Sequence, residues 1–361
     1  MTGTGVWQLC LAAMSGTDVW QLCLAAVSGT CTVSVVRGLA TALVVGLLGL
    51  SACGDDDTDF EVAVTLDEQP GDVISLRADG DVVEYISRRD GEIRAFNPAL
   101  VGKTAAGQTA TGQTATGQSG SNVLAVIEVS TDGEQRGLLG HTVIDGRRFA
   151  AWTDPESRDL IVGDVTSGGI DRIVWQGTGT QSTAIGGHLD TRGGLIVLGL
   201  GSLTDWAKDN GSGALVTLDP DGPPNQEPVV ISNGWNNPFA FAVVDDEFIW
   251  VADNSPDGSD LAVEDRQPER IATAEGNGPG LLEPPPQRAP SAIVQLPDGR
   301  YGVCGFLDNE MRSYDIGPDD ALERAGTIGP CLTGATVLAD GSIVTASTND
   351  DGDTVLLIRS P

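Results

Sequence analysis

A tight turn recurs six times between residues 79 and 341, and each time one apolar β-type run enters it and another leaves. The turn centres are Asp79-Gly80, Asp145-Gly146, Gly193-Gly194, Asp245-Asp246, Asp298-Gly299 and Asp340-Gly341, spaced 66, 48, 52, 53 and 42 residues apart. Asp and Gly tolerate the left-handed backbone of a short strand-to-strand turn, so each pair marks a hairpin. Ile293-Val294-Gln295-Leu296 followed by Tyr301-Gly302-Val303 is one such hairpin, and Phe239 to Val244 followed by Phe248-Ile249-Trp250-Val251 is another. Helical periodicity is almost absent. Six similar units, each able to form a small sheet, predict an all-β fold over residues 66–361: a six-bladed β-propeller of four-stranded antiparallel blades. A pair of β-sandwiches also uses short strands but demands no sixfold recurrence.

The oversized first spacing has a local cause. Residues 104–118 read TAAGQ, TATGQ, TATGQ, three five-residue repeats of small polar residues that cannot offset the entropy of their own ordering. We read 103–121 as a disordered surface insertion in the first unit.

The N-terminal region has a different grammar. Residues 3–15 and 16–28 are one thirteen-residue sequence written twice with two changes. We read 1–36 as an upstream extension from a misassigned start, with initiation near Val33, Val35 or Val36. Arg37 then precedes the apolar run Gly38 to Leu50, which is too short to span a bilayer and has the layout of an export signal over 37–52. Its end, Leu50-Ser51-Ala52-Cys53, resembles a bacterial lipobox, in which the cysteine is lipidated and becomes the first mature residue. Residues 53–65, opening Cys53-Gly54-Asp55-Asp56-Asp57, then form an acidic tether, and the expected location is the outer face of the cytoplasmic membrane or cell envelope. Cys10, Cys23 and Cys31 fall in the doubtful prefix and Cys53 is the anchor. Cys304 and Cys331 remain as one pair, which an exported compartment permits to oxidise.

Charge removes several partners. With 51 acidic against 20 basic side chains the chain carries −31, and such a field repels phosphate backbones and anionic lipid surfaces. Nucleic acid is excluded as a partner, membrane attachment falls to the lipid on Cys53, and sugars or other small neutral ligands and cations stay open. A monomer is expected. Zinc-type Cys/His spacing, a Gly-rich phosphate loop and a nucleophile elbow are all missing.

One segment suggests a cation site. Residues 253–264 place Asp253, Ser255 and Asp257 at positions one, three and five, Gly258 at six and Glu264 at twelve, with Asp260 between. Calcium takes six to eight hard oxygen ligands around a sharp turn, which this spacing approximates. Ser255 at position three, Pro256 at position four and a preceding strand rather than a helix depart from the usual loop.

Several segments together resemble the glucose/sorbosone dehydrogenase family, quinoprotein propellers that oxidise aldose sugars with pyrroloquinoline quinone (PQQ) and calcium. The resemblance runs through Asp132-Gly133-Glu134-Gln135-Arg136-Gly137-Leu138-Leu139-Gly140, residues 186–202, Leu215 to Gly222 and Trp235 to Asp260, and more loosely through Leu296 to Gly299 and Leu338 to Gly341. It covers most of residues 70–359 and implies the propeller fold, calcium at Ser255, Pro256 and Asp260, and cofactor contacts near Asn236 and Asn237. The departures fall on the chemistry. Aligning Gly186-Gly187-x-Leu189 on the family pattern puts Ala184 where the family has its catalytic histidine, and an alanine cannot remove a proton. Asn236 stands where the family has a cofactor arginine, and Cys331 to Ala335 where it has two more. Of the two histidines, His141 and His188, only His188 could serve as a displaced base, and only after a shift of register that would reverse its face. The expectation is a surface-anchored propeller that binds or scaffolds; the alternative is a PQQ- and calcium-dependent aldose dehydrogenase.

Overall fold

The structure is a computed structural model, and it describes residues 8–15, 18–27, 30–34, 60–98, 121–244, 248–254, 268–274, 281–283, 287–317 and 322–361. The chain divides into two compact units, Met1–Thr58 and Asp59–Pro361. In the first, strands β1 (Gln8–Ser15), β2 (Asp18–Val27) and β3 (Thr30–Ser34) form an antiparallel sheet in that order. The two copies of the thirteen-residue repeat therefore pair with each other, Gln8 opposite Ala25 and Ser15 opposite Asp18. The export signal, Cys53 and the repeat insertion lie outside the described residues.

The second unit begins with β4 (Glu61–Leu66) and builds six four-stranded antiparallel sheets. Blade 1 is β5 (Val73–Asp79), β6 (Val82–Ser87), β7 (Glu92–Phe96) and β8 (Asn122–Val126). Blade 2 is β9 (Leu138–Ile144), β10 (Arg147–Thr153), β11 (Asp159–Asp164) and β12 (Arg172–Gly179). Blade 3 is β13 (Gly186–Arg192), β14 (Leu195–Leu200), β15 (Gly213–Leu218) and β16 (Val229–Trp235), with one short helix α1 (Asp205–Asn210) between its second and third strands. Blade 4 is β17 (Ala240–Val244), β18 (Phe248–Asp253), β19 (Glu269–Thr273) and β20 (Leu281–Glu283). Blade 5 is β21 (Pro290–Gln295), β22 (Tyr301–Gly305), β23 (Glu310–Ile316) and β24 (Leu322–Pro330). Blade 6 takes β25 (Gly334–Val337), β26 (Ile343–Thr348) and β27 (Thr354–Arg359) from the end of the chain. The strand β4 from its beginning supplies the fourth, with Leu66 opposite Thr354 and Glu61 opposite Ile358.

The first strands of the blades touch in a closed cycle, β5 to β9 to β13 to β17 to β21 to β25 and back to β5, so they surround the central axis. All six turns that organise the sequence join the first and second strands of a blade. The backbone explains their composition: φ is 51° at Asp145 and 76° at Gly146, 55° and 79° at Gly193 and Gly194, and 61°, 90° and 88° at Gly80, Gly299 and Gly341. The Asp245-Asp246 turn lies outside the described residues. The insertion sits between β7 and β8, which is why the first spacing is long.

Second strands are covered by neighbouring blades on both faces and read as largely apolar runs, as in Ile343-Val344-Thr345-Ala346 and Leu195-Ile196-Val197-Leu198. Between blades 2 and 3 the packed layer includes Leu139, Phe149, Trp175, Ile185 and Leu198. The approach is closest where Gly140 meets the next blade, since a Cβ there would stand 2.4 Å from the Gly187 carbonyl oxygen and 2.7 Å from the Leu189 nitrogen. The Gly-Leu-Leu-Gly and Gly-Gly-x-Leu elements are thus two sides of one blade contact.

Cys304 and Cys331 form a disulfide with Cα atoms 5.2 Å apart, buried beside Leu296, Met311 and Ala335. Cys304 lies on the second strand of blade 5 and Cys331 on the connection into blade 6, so the bond ties the two blades together. Its loop, with a sequence separation of 27, corresponds to about 3 to 4 kcal/mol in the chain-entropy view. Replacing both cysteines with serine should lower the unfolding free energy by about that amount, read by chemical denaturation. The denatured, unreduced wild type should give no thiol titre from this pair.

Candidate functional site

In each blade the turn from second to third strand and the connection into the next first strand lie at the same end. That end of the axis gathers side chains from distant parts of the chain. There a mouth of about 320 Å³ is lined by Gly71 and Ile74, Arg88 and Arg89, Glu134 and Gln135, Gly186, Asn237, Asn254, Pro290, Phe306 and Thr333, among others. Toward the other end, a second cavity of about 470 Å³ runs between the first strands, and Phe239, Ser291 and Thr333 line both. Both histidines line the second cavity and neither lines the mouth.

Charge at the mouth end is organised around three aspartates. Asp72 takes Arg88 Nη2 at 2.7 Å and Arg89 Nε at 3.2 Å. Asp132 takes Arg136 at 2.7 Å and Arg158 at 2.5 Å; Asp308 takes Arg288 at 2.6 Å and Arg312 at 3.3 Å. Hydrogen bonds from Ser130 and Arg136 hold the Asp132 carboxyl well below the usual carboxylate range. Arg88, Arg136 and Arg288 are buried and act as struts: Arg88 donates to the Glu134 and Arg136 carbonyls, and Arg288 to the Glu310 carbonyl. Among the described residues, the mouth itself is lined by Arg88, Arg89 and Glu134, and Asp72 sits against the two arginines. These charges balance.

The neutral part of the mouth has two distinct features. Phe306 is 44% exposed and held in place through its backbone, with Phe306 N–H donating to Ala289 and Leu307 N–H to Arg288. Its ring lies 3.1 Å from where a Gly71 Cβ would be, and Gly71 itself stands at φ 86°, a backbone conformation that favours glycine. Nearby in the lining, the Oδ1 of Asn254 is buried with no hydrogen-bond partner among the described residues. A buried acceptor left unpaired costs about 1 to 3 kcal/mol, which a donor from a bound molecule would recover.

The residues singled out from sequence take these places. Ala184 lies in the connection before β13 at φ 49°, and its N–H donates to Gln135 Oε1 at 2.6 Å. His188 sits on β13 in the wall of the second cavity, its ring edge-on to Phe241 at 4.8 Å. Burial lowers its pKa to about 4, with a smaller contribution from His141, so it is neutral at physiological pH. Asn236 accepts from Ser202 Oγ at 2.8 Å, and Asn237 Oδ1 accepts from Gly186 N–H at 3.0 Å. Both asparagines donate their backbone N–H to Asp253, which also faces Arg270 at 3.6 Å. Burial nevertheless raises the Asp253 carboxyl to about 6. Asp253 therefore caps the connection into blade 4, and the rest of the predicted calcium loop, Ser255, Asp257, Asp260 and Glu264, lies outside the described residues. Thr333 donates to the Val73 carbonyl, and Cys331 is in the disulfide. Arg88, Arg89 and Phe306 were not foreseen, each standing in a strand-to-strand turn with no local pattern to mark it; Asn254 lies inside the loop read as a cation site but was not itself singled out.

No protein-family model matches the sequence, and no curated protein matches it. Solved structures do. One is the PQQ-bound aldose sugar dehydrogenase from Streptomyces coelicolor, with a TM-score of 0.58 at 15% identity over 83% of this chain and 98% of that one. A gluconolactonase from Xanthomonas campestris gives 0.51 at 13% identity over 82% and 89%. A luciferin-regenerating enzyme gives 0.50 at 10% identity over 84% and 95%. At such identities the likeness establishes the propeller and leaves the chemistry to be read from the residues.

The described residues of the mouth do not fit PQQ. A tricarboxylate needs an excess of cations that reach it, and the two arginines among the described lining residues are matched by Asp72 and Glu134.

Proposed function

We propose that this protein is an exported, lipid-anchored propeller whose mouth binds a small neutral ligand bearing hydroxyl groups, such as a sugar. On this reading it is a binding or scaffold protein descended from quinoprotein-like propellers and does not oxidise its ligand. The observation that carries it is the combination, among the described residues, of a charge-balanced mouth, an exposed Phe306 ring and an unpaired Asn254 acceptor. An aromatic face stacks on the apolar face of a ring, and a buried amide oxygen selects a hydroxyl donor.

The dehydrogenase reading makes the opposite prediction. We expect no turnover of glucose or other aldoses when the protein is reconstituted with PQQ, calcium and an artificial electron acceptor. A positioned base contributes roughly 10² to 10⁴-fold to such a reaction. Ala184 supplies none, and His188 faces the other cavity. Turnover that disappears in His188→Ala would overturn the binding reading and make His188 the base.

Anchorage is tested separately. Cys53→Ser should move the protein from the membrane to the soluble fraction in a bacterial host. An unchanged distribution, or a mature N-terminus upstream of residue 53, would remove the lipid anchor from this account.

A further inference from the structure

The second cavity carries charge from blades 1 and 3, Arg77 on β5 and Asp190 on β13, which form no ion pair with each other among the described residues. Behind the β5 wall, Glu84 is shared among three neighbours: Arg148 in direct contact, His141 Nε2 at 3.4 Å and Arg77 Nη1 at 3.8 Å. Two guanidiniums thus face one carboxylate. Arg77, 31% exposed at its side chain and lining the cavity, is the less engaged of the two. On the other wall, Asp190 accepts the Val243 N–H at 2.8 Å and the Thr191 N–H at 2.7 Å, and among the described residues no cation lies within ion-pair distance of it. Two residues earlier on β13, and so on the same face, the neutral ring of His188 makes no hydrogen bond among the described residues. The remaining wall near them is apolar, with Phe239, Phe241 and Ile293.

We propose that this cavity binds a small zwitterion, a free α-amino acid, with its carboxylate on Arg77, its ammonium on Asp190 and His188, and its side chain against the apolar wall. An anion alone would satisfy Arg77 but enter a chain of charge −31 and leave Asp190 unpaired. A cation alone would leave Arg77 over-supplied. A zwitterion meets both walls and carries no net charge across the field. A volume of about 470 Å³ is in the range of small-molecule sites and admits an amino acid with side chain. Burial raises the Asp190 carboxyl to about 6, although the Val243 and Thr191 N–H groups and the more distant charge of Arg77 act to lower it. The site is separate from the proposed sugar site, and either can fail without the other.

The experiment measures the full chain by isothermal titration and thermal shift with glycine, alanine, leucine and phenylalanine, and with acetate and methylammonium as half-ligands. At least one amino acid should bind at millimolar concentration or tighter, and the half-ligands should not bind at the same concentrations. Asp190→Asn keeps an oxygen acceptor for Val243 N–H, so it should fold, and it should weaken binding by about tenfold or more. A second readout uses the two histidines. His141 is buried between Ser75 and Glu84, so diethyl pyrocarbonate should modify one equivalent, His188, and the bound amino acid should slow that reaction. The proposal is overturned if none of the amino acids shifts the midpoint or protects His188 at 50 mM, if acetate or methylammonium binds as well as they do, or if Asp190→Asn binds as well as the wild type.

Discussion

A chain that starts at Asp67 will lose the cooperative fold that a chain starting at Phe60 retains. The difference is β4, which completes blade 6 and packs against blade 1. Its Ala63 and Leu66 are buried among Val73, Val83, Tyr85, Leu338, Val344 and Leu356, with Val64 packed alongside. Burying a large aliphatic side chain contributes about 1.5 to 3 kcal/mol, and the ladder to β27 adds roughly 1 kcal/mol per hydrogen bond. Removing the strand should therefore cost about 5 kcal/mol or more, a large share of the 5 to 15 kcal/mol typical of a domain. It also leaves β27 as a long unpaired edge of apolar residues, which invites aggregation. Chemical denaturation and limited proteolysis of the two truncations read the effect. Equal midpoints would mean that the ring closes without β4.

The second large effect is expected at Glu84. Its carboxylate, 4% exposed at the side chain, is the single anion among Arg77, Arg148 and His141. Burial alone would raise its pKa, but the adjacent His141 ring and the hydrogen-bonded Arg148 outweigh burial and hold it at about 2, against an ordinary 4.5. Glu84→Gln keeps the shape and removes the charge, which leaves two guanidiniums facing each other between blades 1 and 2. Removing one partner of a buried ion pair costs about 3 to 5 kcal/mol. The pH dependence has a fixed sign. A depressed carboxyl contributes stability that is fully present above its unfolded value, so the wild type should lose this contribution as pH falls from about 4.5 toward 2. The variant should lack that component of the acid transition. A variant as stable as the wild type at pH 7 would show that Glu84 is dispensable to the blade contact.

The propeller was legible in the sequence because each first turn must adopt left-handed backbone, and only a few residue types do so cheaply. Asp145-Gly146 and Gly193-Gly194 mark hairpins for that steric reason. Gly140 and Gly187 were legible too, as motif residues, although only the structure shows that they touch across a blade boundary. The mouth was not legible. Arg88, Asn254 and Phe306 come from three blades, each from the turn that follows a second strand; nothing near Arg88 or Phe306 distinguishes them from other turn residues, and the acidic loop around Asn254 drew attention to its carboxylates instead. Asp190 was hidden for another reason. In the run Gly186-Gly187-His188-Leu189-Asp190 the alternation reads as an ordinary strand, and only closure of the ring turns one of its faces into the wall of a cavity. The asparagines at 236 and 237 illustrate the limit of a motif: their position is conspicuous, yet their polar atoms bind Ser202, Gly186 and Asp253, the fastenings between blades 3 and 4.

The pairing of β4 with β27 also sets an order in time. Glu61–Leu66 is among the first parts of this unit to leave a ribosome or a translocation pore, and its partner Thr354–Arg359 is among the last. Five blades can assemble as they emerge, each from contiguous chain, but the sixth must wait. During that interval the opening strand is an exposed apolar segment with no partner of its own, and the closure that ends the wait joins residues nearly a whole domain apart, which makes it slow. The moment of greatest vulnerability in the life of this molecule is therefore set by its connectivity, and it ends only when the final strand arrives.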